Sequence, residues 1–107
     1  MGEPAAIGLF AYGTLRDAPI QQSVFGRRLS GDPDSLAGWR RGQVIIEGQA
    51  YPMAEPDPAS ELDGRLYPLT QDDLARADAY EGEAYRRIRV TLTSGRQAWF
   101  YVAAEPA

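Results

Sequence analysis

The first patterned segment is a short apolar run, Ile7-Gly8-Leu9-Phe10-Ala11-Tyr12, ended by Gly13. Continuous apolarity over so few residues predicts a buried strand. Thr14-Leu15-Arg16-Asp17 with Pro19 predict a turn, and Ile20 to Phe25 a brief helix. Gly26 to Gly38 is rich in Gly, Asp, Pro and Ser and predicts a loop. Gln43-Val44-Ile45-Ile46 predicts the next strand, starting near Trp39. Gly48 to Ala59 carries Pro52, Pro56 and Pro58 and is expected to be mostly irregular. Leu62 to Tyr67 alternates in its outer parts and predicts another strand.

The firmest element follows. Thr70 is placed to cap a helix whose first turn holds Asp72 and Asp73, where acidic side chains favour the helix dipole. Leu69 before the cap and Leu74 after it form a hydrophobic staple. Gly82 marks the end. Ile88 to Thr93 then alternates cleanly, Ser94-Gly95 predicts a two-residue turn, and Gln97 to Val102 returns as the second arm of a hairpin. Ala103 to Ala107 is expected to fray. No repeat and no linker interrupts the pattern, so residues 1–107 are expected to form one domain. Five or six short strands with one firm helix and a second short one predict an α+β fold, a small mixed β-barrel.

Composition narrows the chemistry. The 107 residues contain no Cys and no His, and all eleven basic residues are Arg. Thiolate nucleophiles, Ser-His-Asp triads, imidazole metal sites, Schiff bases and Walker lysines are therefore excluded. Proton transfer would fall to Asp, Glu, Tyr or a terminus. No metal site and no cofactor is expected. The net charge of −4 argues against nucleic acid and anionic membranes as partners. No apolar run approaches the roughly 20 residues that span a bilayer, and no signal peptide is visible, so a cytoplasmic protein is expected. Arg40-Arg41 and Arg86-Arg87-Ile88-Arg89 are local patches expected on solvated faces, with Arg87 set aside for a structural role.

Two segments could carry a site. A glycine directly after a buried strand lets the chain turn sharply and lets a ligand approach its backbone, and successive N–H groups in such a turn can converge on an anion. Tyr12-Gly13-Thr14-Leu15 is either such a cradle or a plain structural turn. In the second segment, Leu74, Ala77, Asp78 and Glu81 fall on one helix face. Leu74 and Ala77 must meet the core, so Glu81 lies inward at the last turn. Desolvation there raises its pKa, and the helix C-terminus pushes the same way. Glu81 is thus a general base near neutral pH or an inward structural carboxylate. Asp78 is expected to make structural hydrogen bonds, and Glu83, beyond Gly82, to be solvated.

Phe10-Ala11-Tyr12-Gly13-Thr14-Leu15-Arg16 resembles the opening motif of the γ-glutamylcyclotransferase-like family. Asp78-Ala79-Tyr80-Glu81-Gly82, with Tyr85 and Arg87 after it, resembles the family's second motif. Tyr51-Pro52 and Leu62-Asp63-Gly64-Arg65-Leu66-Tyr67 fall where that family has a Tyr-Pro pair and a Gly-containing strand. The similarity runs from about Leu9 to Val102, although Ala77 stands where the family usually has Leu. The resemblance implies a family barrel and an enzyme that releases an amine from a small γ-glutamyl amide and forms 5-oxoproline. It implies Glu81 as acid/base and a pocket lined by Tyr12, Gly13, Thr14, Leu15 and Tyr85; no obligatory protein partner is expected. The alternative from another class is a binding module that keeps this pocket without turnover.

Overall fold

The computed structural model describes residues 7–104. In chain order they form β1 (Ile7–Ala11), a 3-10 turn (Thr14–Arg16), α1 (Ala18–Phe25), β2 (Asp32–Ile46), β3 (Gln49–Leu69), α2 (Gln71–Glu81), β4 (Tyr85–Thr91) and β5 (Gln97–Ala103). The strands make one mixed sheet ordered β2-β3-β1-β5-β4. Only β1 and β5 run parallel; the other neighbours are antiparallel. The sheet curls into a half-barrel carrying two helices, the α+β class expected. The β4–β5 connection closes on the edge strand β2 at one end. There Thr93 N–H donates to Ser35 O at 2.8 Å, Ser94 Oγ donates to Asp34 at 2.6 Å, and Arg96 pairs with Asp32 at 3.0 Å.

Successive residues of a strand face opposite sides of the sheet, which explains the unbroken apolarity of β1. Phe10 joins Leu36, Leu62, Leu66 and Phe100 on one face. Leu9 joins Tyr67, Phe25, Leu74 and Ala77 under the helices. Phe10 and Leu9 are both 1% exposed, and burying a side chain of that size stabilises by about 1.5–3 kcal/mol.

Helix α2 forms as its sequence predicts. Thr70 accepts from Asp73 N–H at 3.0 Å, and the Asp73 carboxylate accepts from Thr70 N–H at 3.0 Å, completing a capping box. Leu69 and Leu74 share the helix-side core, and Gly82 ends the helix. Asp73 is buried and takes two hydrogen bonds from Arg27, at 2.9 and 2.7 Å, which ties the end of α1 to the start of α2. These partners hold its pKa down at about 2, the Arg27 hydrogen bonds contributing most.

Several expectations need correction. The loop expected over Gly26 to Gly38 ends earlier, because β2 already begins at Asp32 rather than near Trp39. The irregular stretch expected over Gly48 to Ala59 is part of β3, a strand of 21 residues. β1 pairs only with Arg65 to Leu69 of β3, so farther back β3 has β2 on one side and an open edge on the other. Ala54 N–H reaches the Tyr12 hydroxyl across that open edge. Pro52 and Pro56 share its parity, so their missing N–H groups cost no ladder bond. The strands are thus five, and two of them are long. The turn expected at Thr14 to Asp17 is a 3-10 turn leading into α1, which starts at Ala18. The β4–β5 connection is not the two-residue turn Ser94-Gly95. Leu92 N–H donates to Arg96 O, Gly95 N–H donates to Leu92 O, and Gly95 has φ 91. That is a three-residue loop with a bulge, which needs a left-handed residue last. Ala103 closes β5; the rest of the expected frayed tail, from Glu105, lies outside the described residues. No helix among the described residues is long and apolar enough to cross a membrane.

Candidate active site

β1 has five residues and β3 has twenty-one. Where β1 stops, a gap opens between β3 and β5, and the side chain after it fills the ladder. The Tyr12 hydroxyl donates to Tyr101 O at 2.9 Å and accepts from Ala54 N–H at 3.0 Å. Tyr12 is 5% exposed, and burial drives its pKa far above the usual tyrosine value. Its hydroxyl is therefore a structural bridge, while its ring and backbone remain at the gap.

Beyond Tyr12 the chain turns at Gly13 into Thr14–Arg16. Arg16 N–H closes on Gly13 O at 3.2 Å and Asp17 N–H on Thr14 O at 2.9 Å. The N–H groups of Gly13, Thr14 and Leu15 have no protein acceptor among the described residues. Thr14 Oγ1 and the Tyr80 hydroxyl share a hydrogen bond at 2.6 Å, pinning the turn to the end of α2.

The gap opens into a cavity of about 420 Å³. Tyr12, Gly13, Thr14, Leu15, Glu81 and Tyr85 all line it, together with Ile46, Tyr51, Pro52, Tyr80, Glu83 and Tyr101 among others. Every residue the sequence nominated for the site is therefore brought to one wall or another of the same space. Leu74 and Ala77 are 4% and 0% exposed, which turns Glu81 inward as the helix spacing requires. Burial pushes the Glu81 pKa from 4.5 up to about 7, with no neighbouring charge acting against it. The Tyr85 hydroxyl donates to Pro52 O at 2.8 Å, and burial raises its pKa to about 12.

Asp78 faces another way. Its carboxylate takes two hydrogen bonds from Arg87, at 2.8 and 3.0 Å, and one from the Tyr101 hydroxyl at 2.7 Å. The Arg87 hydrogen bond, the largest cause, holds its pKa below the usual carboxylate range. Arg87 lies 4.5 Å above the Trp99 ring. Both residues serve the joint between α2 and the β4–β5 hairpin. Glu83 is exposed, as expected, but also stands at the cavity rim.

Sequence reasoning read the β2 side of the β2–β3 arm, Gln43 to Ile46, as a strand but missed the β3 side over Gln49 to Ala59 and the arm's place in the cavity. The arm supplies Ile46, Tyr51 and Pro52 to the cavity, yet its three prolines hid the β3 side. The signal that could have found it is Glu47-Gly48. Both residues have positive φ, 50 and 80, and so form the tight turn of a long hairpin. Tyr80 stands in the Asp78-Ala79-Tyr80-Glu81-Gly82 stretch, but nothing in the helix spacing marks its hydroxyl as the partner of Thr14.

A family model described as gamma-glutamyl cyclotransferase, AIG2-like, matches residues 9–107. The chain belongs to that family. AIG2-like protein A of Arabidopsis thaliana is 30% identical over 85 residues, which cover 78% of this chain and 50% of the relative. AIG2-like protein B of the same plant is 29% identical over 90 residues, covering 83% and 51%. The chain thus spans about half the length of these curated relatives. A solved mouse AIG2-like protein superimposes with a TM-score of 0.74 at 17% identity, over 97% of this chain and 81% of the mouse one. A solved gamma-glutamyl cyclotransferase gives a TM-score of 0.75 at 15% identity, over 92% and 66%. At such identities the likeness of this family member to solved structures is a likeness of fold.

Proposed function

We propose that this chain cyclises a γ-glutamyl amide, releasing an amine and forming 5-oxoproline, with Glu81 as general acid/base. One observation carries the reading. A carboxyl tuned to about 7 by burial shares a cavity with a turn whose N–H groups have no protein acceptor among the described residues. Family membership supports the cyclotransferase class.

The substrate's own α-amino group is the nucleophile, so the protein needs none. Ionised Glu81 removes a proton from the α-ammonium. The nitrogen then attacks the γ-carbonyl carbon and closes a five-membered lactam ring. The bond from that carbon to the leaving nitrogen breaks as Glu81 returns the proton to it, and the ring nitrogen gives up its second proton through Glu81 to the released amine, which departs as an ammonium ion. A carboxyl near 7 is matched to both halves of this cycle, and such acid–base help is worth roughly 10²–10⁴-fold. Folding the glutamyl chain so that nitrogen meets carbonyl can supply roughly 7–11 kcal/mol. No arginine lines the cavity among the described residues, so the substrate carboxylate or the developing oxyanion falls to the N–H groups of Gly13 to Leu15.

The test is 5-oxoproline release from a panel of γ-glutamyl amides by wild type and Glu81→Gln, with thermal melting beside it. The variant is expected to fold and to lose on the order of 10²-fold or more in rate. Equal rates would overturn the assignment of Glu81. A wild type that binds γ-glutamyl compounds and turns none over would instead be a binding module.

A further inference from the structure

Gly13, Thr14 and Leu15, whose N–H groups have no protein acceptor among the described residues, line a cavity whose titratable lining is two carboxyls, Glu81 and Glu83, and several tyrosines. An anion entering such a space meets negative charge, and the turn must offset it. Two cations do sit close by, outside the cavity. The Arg41 guanidinium donates from Nη2 to Tyr12 O, and its carbon lies 5.9 Å from the Tyr12 ring centre. The Arg16 side chain donates from Nε to Gly13 O at 3.2 Å, the same oxygen that accepts Arg16 N–H at 3.2 Å.

Those two carbonyls belong to particular peptides. The peptide that carries Tyr12 O carries Gly13 N–H at its other end, and the one that carries Gly13 O carries Thr14 N–H. Every peptide bond among the described residues is trans, so in each unit the carbonyl and the N–H point in opposite directions. A cation bound to the carbonyl draws electron density toward the oxygen and makes the opposed N–H a stronger donor, as in any polarised hydrogen-bond chain. Neither arginine lines the cavity.

We infer that Arg16 and Arg41 are positioning residues that charge the anion cradle from behind, so that the Gly13 and Thr14 N–H groups hold a ligand carboxylate without a cation in the cavity. Both side chains are exposed, and water screens their direct attraction for an anion. The hydrogen bond to each carbonyl is a contact and is not screened in that way. This design leaves the cavity free of a cation that would pair with Glu81 and pull its pKa down. The inference rests on the functional reading above only for the identity of the carboxylate ligand.

The test has two parts. The first needs no ligand: the amide proton shifts of Gly13 and Thr14 are read by NMR in wild type, Arg41→Gln, Arg16→Gln and Arg41→Lys. An upfield move of Gly13 in Arg41→Gln and of Thr14 in Arg16→Gln is expected, with Arg41→Lys largely restoring Gly13. Unmoved amides would overturn the inference. The second part compares binding of 5-oxoproline with binding of pyrrolidin-2-one, the same ring without its carboxylate. Each glutamine variant is expected to weaken 5-oxoproline by about three- to tenfold, the scale of losing part of a charge-assisted donor. Pyrrolidin-2-one should be unaffected. Equal weakening of both ligands would mean that the arginines merely hold the turn, and would overturn the inference. Amides that move in a protein that binds neither ligand would leave the polarised cradle standing and remove the cyclotransferase reading.

Discussion

Replacing Glu81 with Gln should make the protein more stable at pH 8 while removing its proposed chemistry. The folded-state pKa is raised from 4.5 to about 7 by burial. Between those values the native state holds a proton that the unfolded chain releases. Stability from this group is therefore fully present below about pH 4.5 and lost as pH rises to about 7. Each pH unit across the window is worth about 1.4 kcal/mol, which sets a ceiling near 3 kcal/mol. Glu81 is only half-buried, and water at the mouth trims this to about 1–2 kcal/mol. Glutamine has no such term. Urea denaturation of both proteins at pH 4.5 and pH 8 should show the difference shifting by that amount in favour of Gln, about 4–8 °C per kcal/mol in melting temperature. The Asp73 and Asp78 contributions are common to both proteins and cancel. The acid limb of kcat/KM should fall in the same window, because the base must be ionised to accept the α-ammonium proton. A stability difference that ignores pH would show that Glu81 is not desolvated in solution, and the argument for its tuning would fail with it.

Tyr12→Phe should cost about 1–3 kcal/mol, because it strands the buried Tyr101 carbonyl and Ala54 N–H at once. A lower urea midpoint at unchanged slope is the expected signature. Asp73→Asn should cost about 1–3 kcal/mol at pH 7 by breaking the paired Arg27 contact and half the capping box. The Asp73 pKa is depressed from 3.8 to about 2, so its stabilisation is present above about pH 3.8 and lost as pH falls through 2. The two melting curves should converge over that range, and a gap that persists to pH 2 would refute the ion-pair account.

Helix α2 was legible because its signals are local and mutually consistent. The cap at Thr70, the staple from Leu69 to Leu74 and the stop at Gly82 act within a few residues of one another. The same locality fixed the inward face of Glu81. The helix-side core around Leu9 and Phe25 was legible only as apolarity, since two faces of one strand cannot be told from one without knowing what covers them. Strand β3 was legible only in its last part, Leu62 to Tyr67, and not over Gln49 to Ala59. Its prolines are breakers in isolation, and they are tolerated because β1 is too short to reach them. That fact belongs to the pairing of Ile7 to Ala11 with Arg65 to Leu69, a relation between distant segments that no window contains. The β2–β3 wall of the cavity was lost with it, as were the contacts of Arg41, which arrives on that arm.

The short first strand also explains why the site lies where it does. A strand of five residues between longer neighbours leaves the carbonyls and N–H groups of those neighbours unpaired past its end. Tyr12 satisfies the nearest pair with one hydroxyl, and Tyr85 satisfies the Pro52 carbonyl with another. The chain itself turns away at Gly13, and its own N–H groups then have no strand to meet. Buried donors without acceptors are costly, so their only economical position is at the edge of a cavity, facing water or an anion. The helix that must cover Leu9 and Tyr67 ends at the same place, because the staple and Gly82 fix its length. Its last inward residue is Glu81. The donor turn and the tuned carboxyl are thus brought together by the length of β1 and the length of α2. A change that extends β1 by pairing through Gly13 would close the cradle before it touched any side chain of the site.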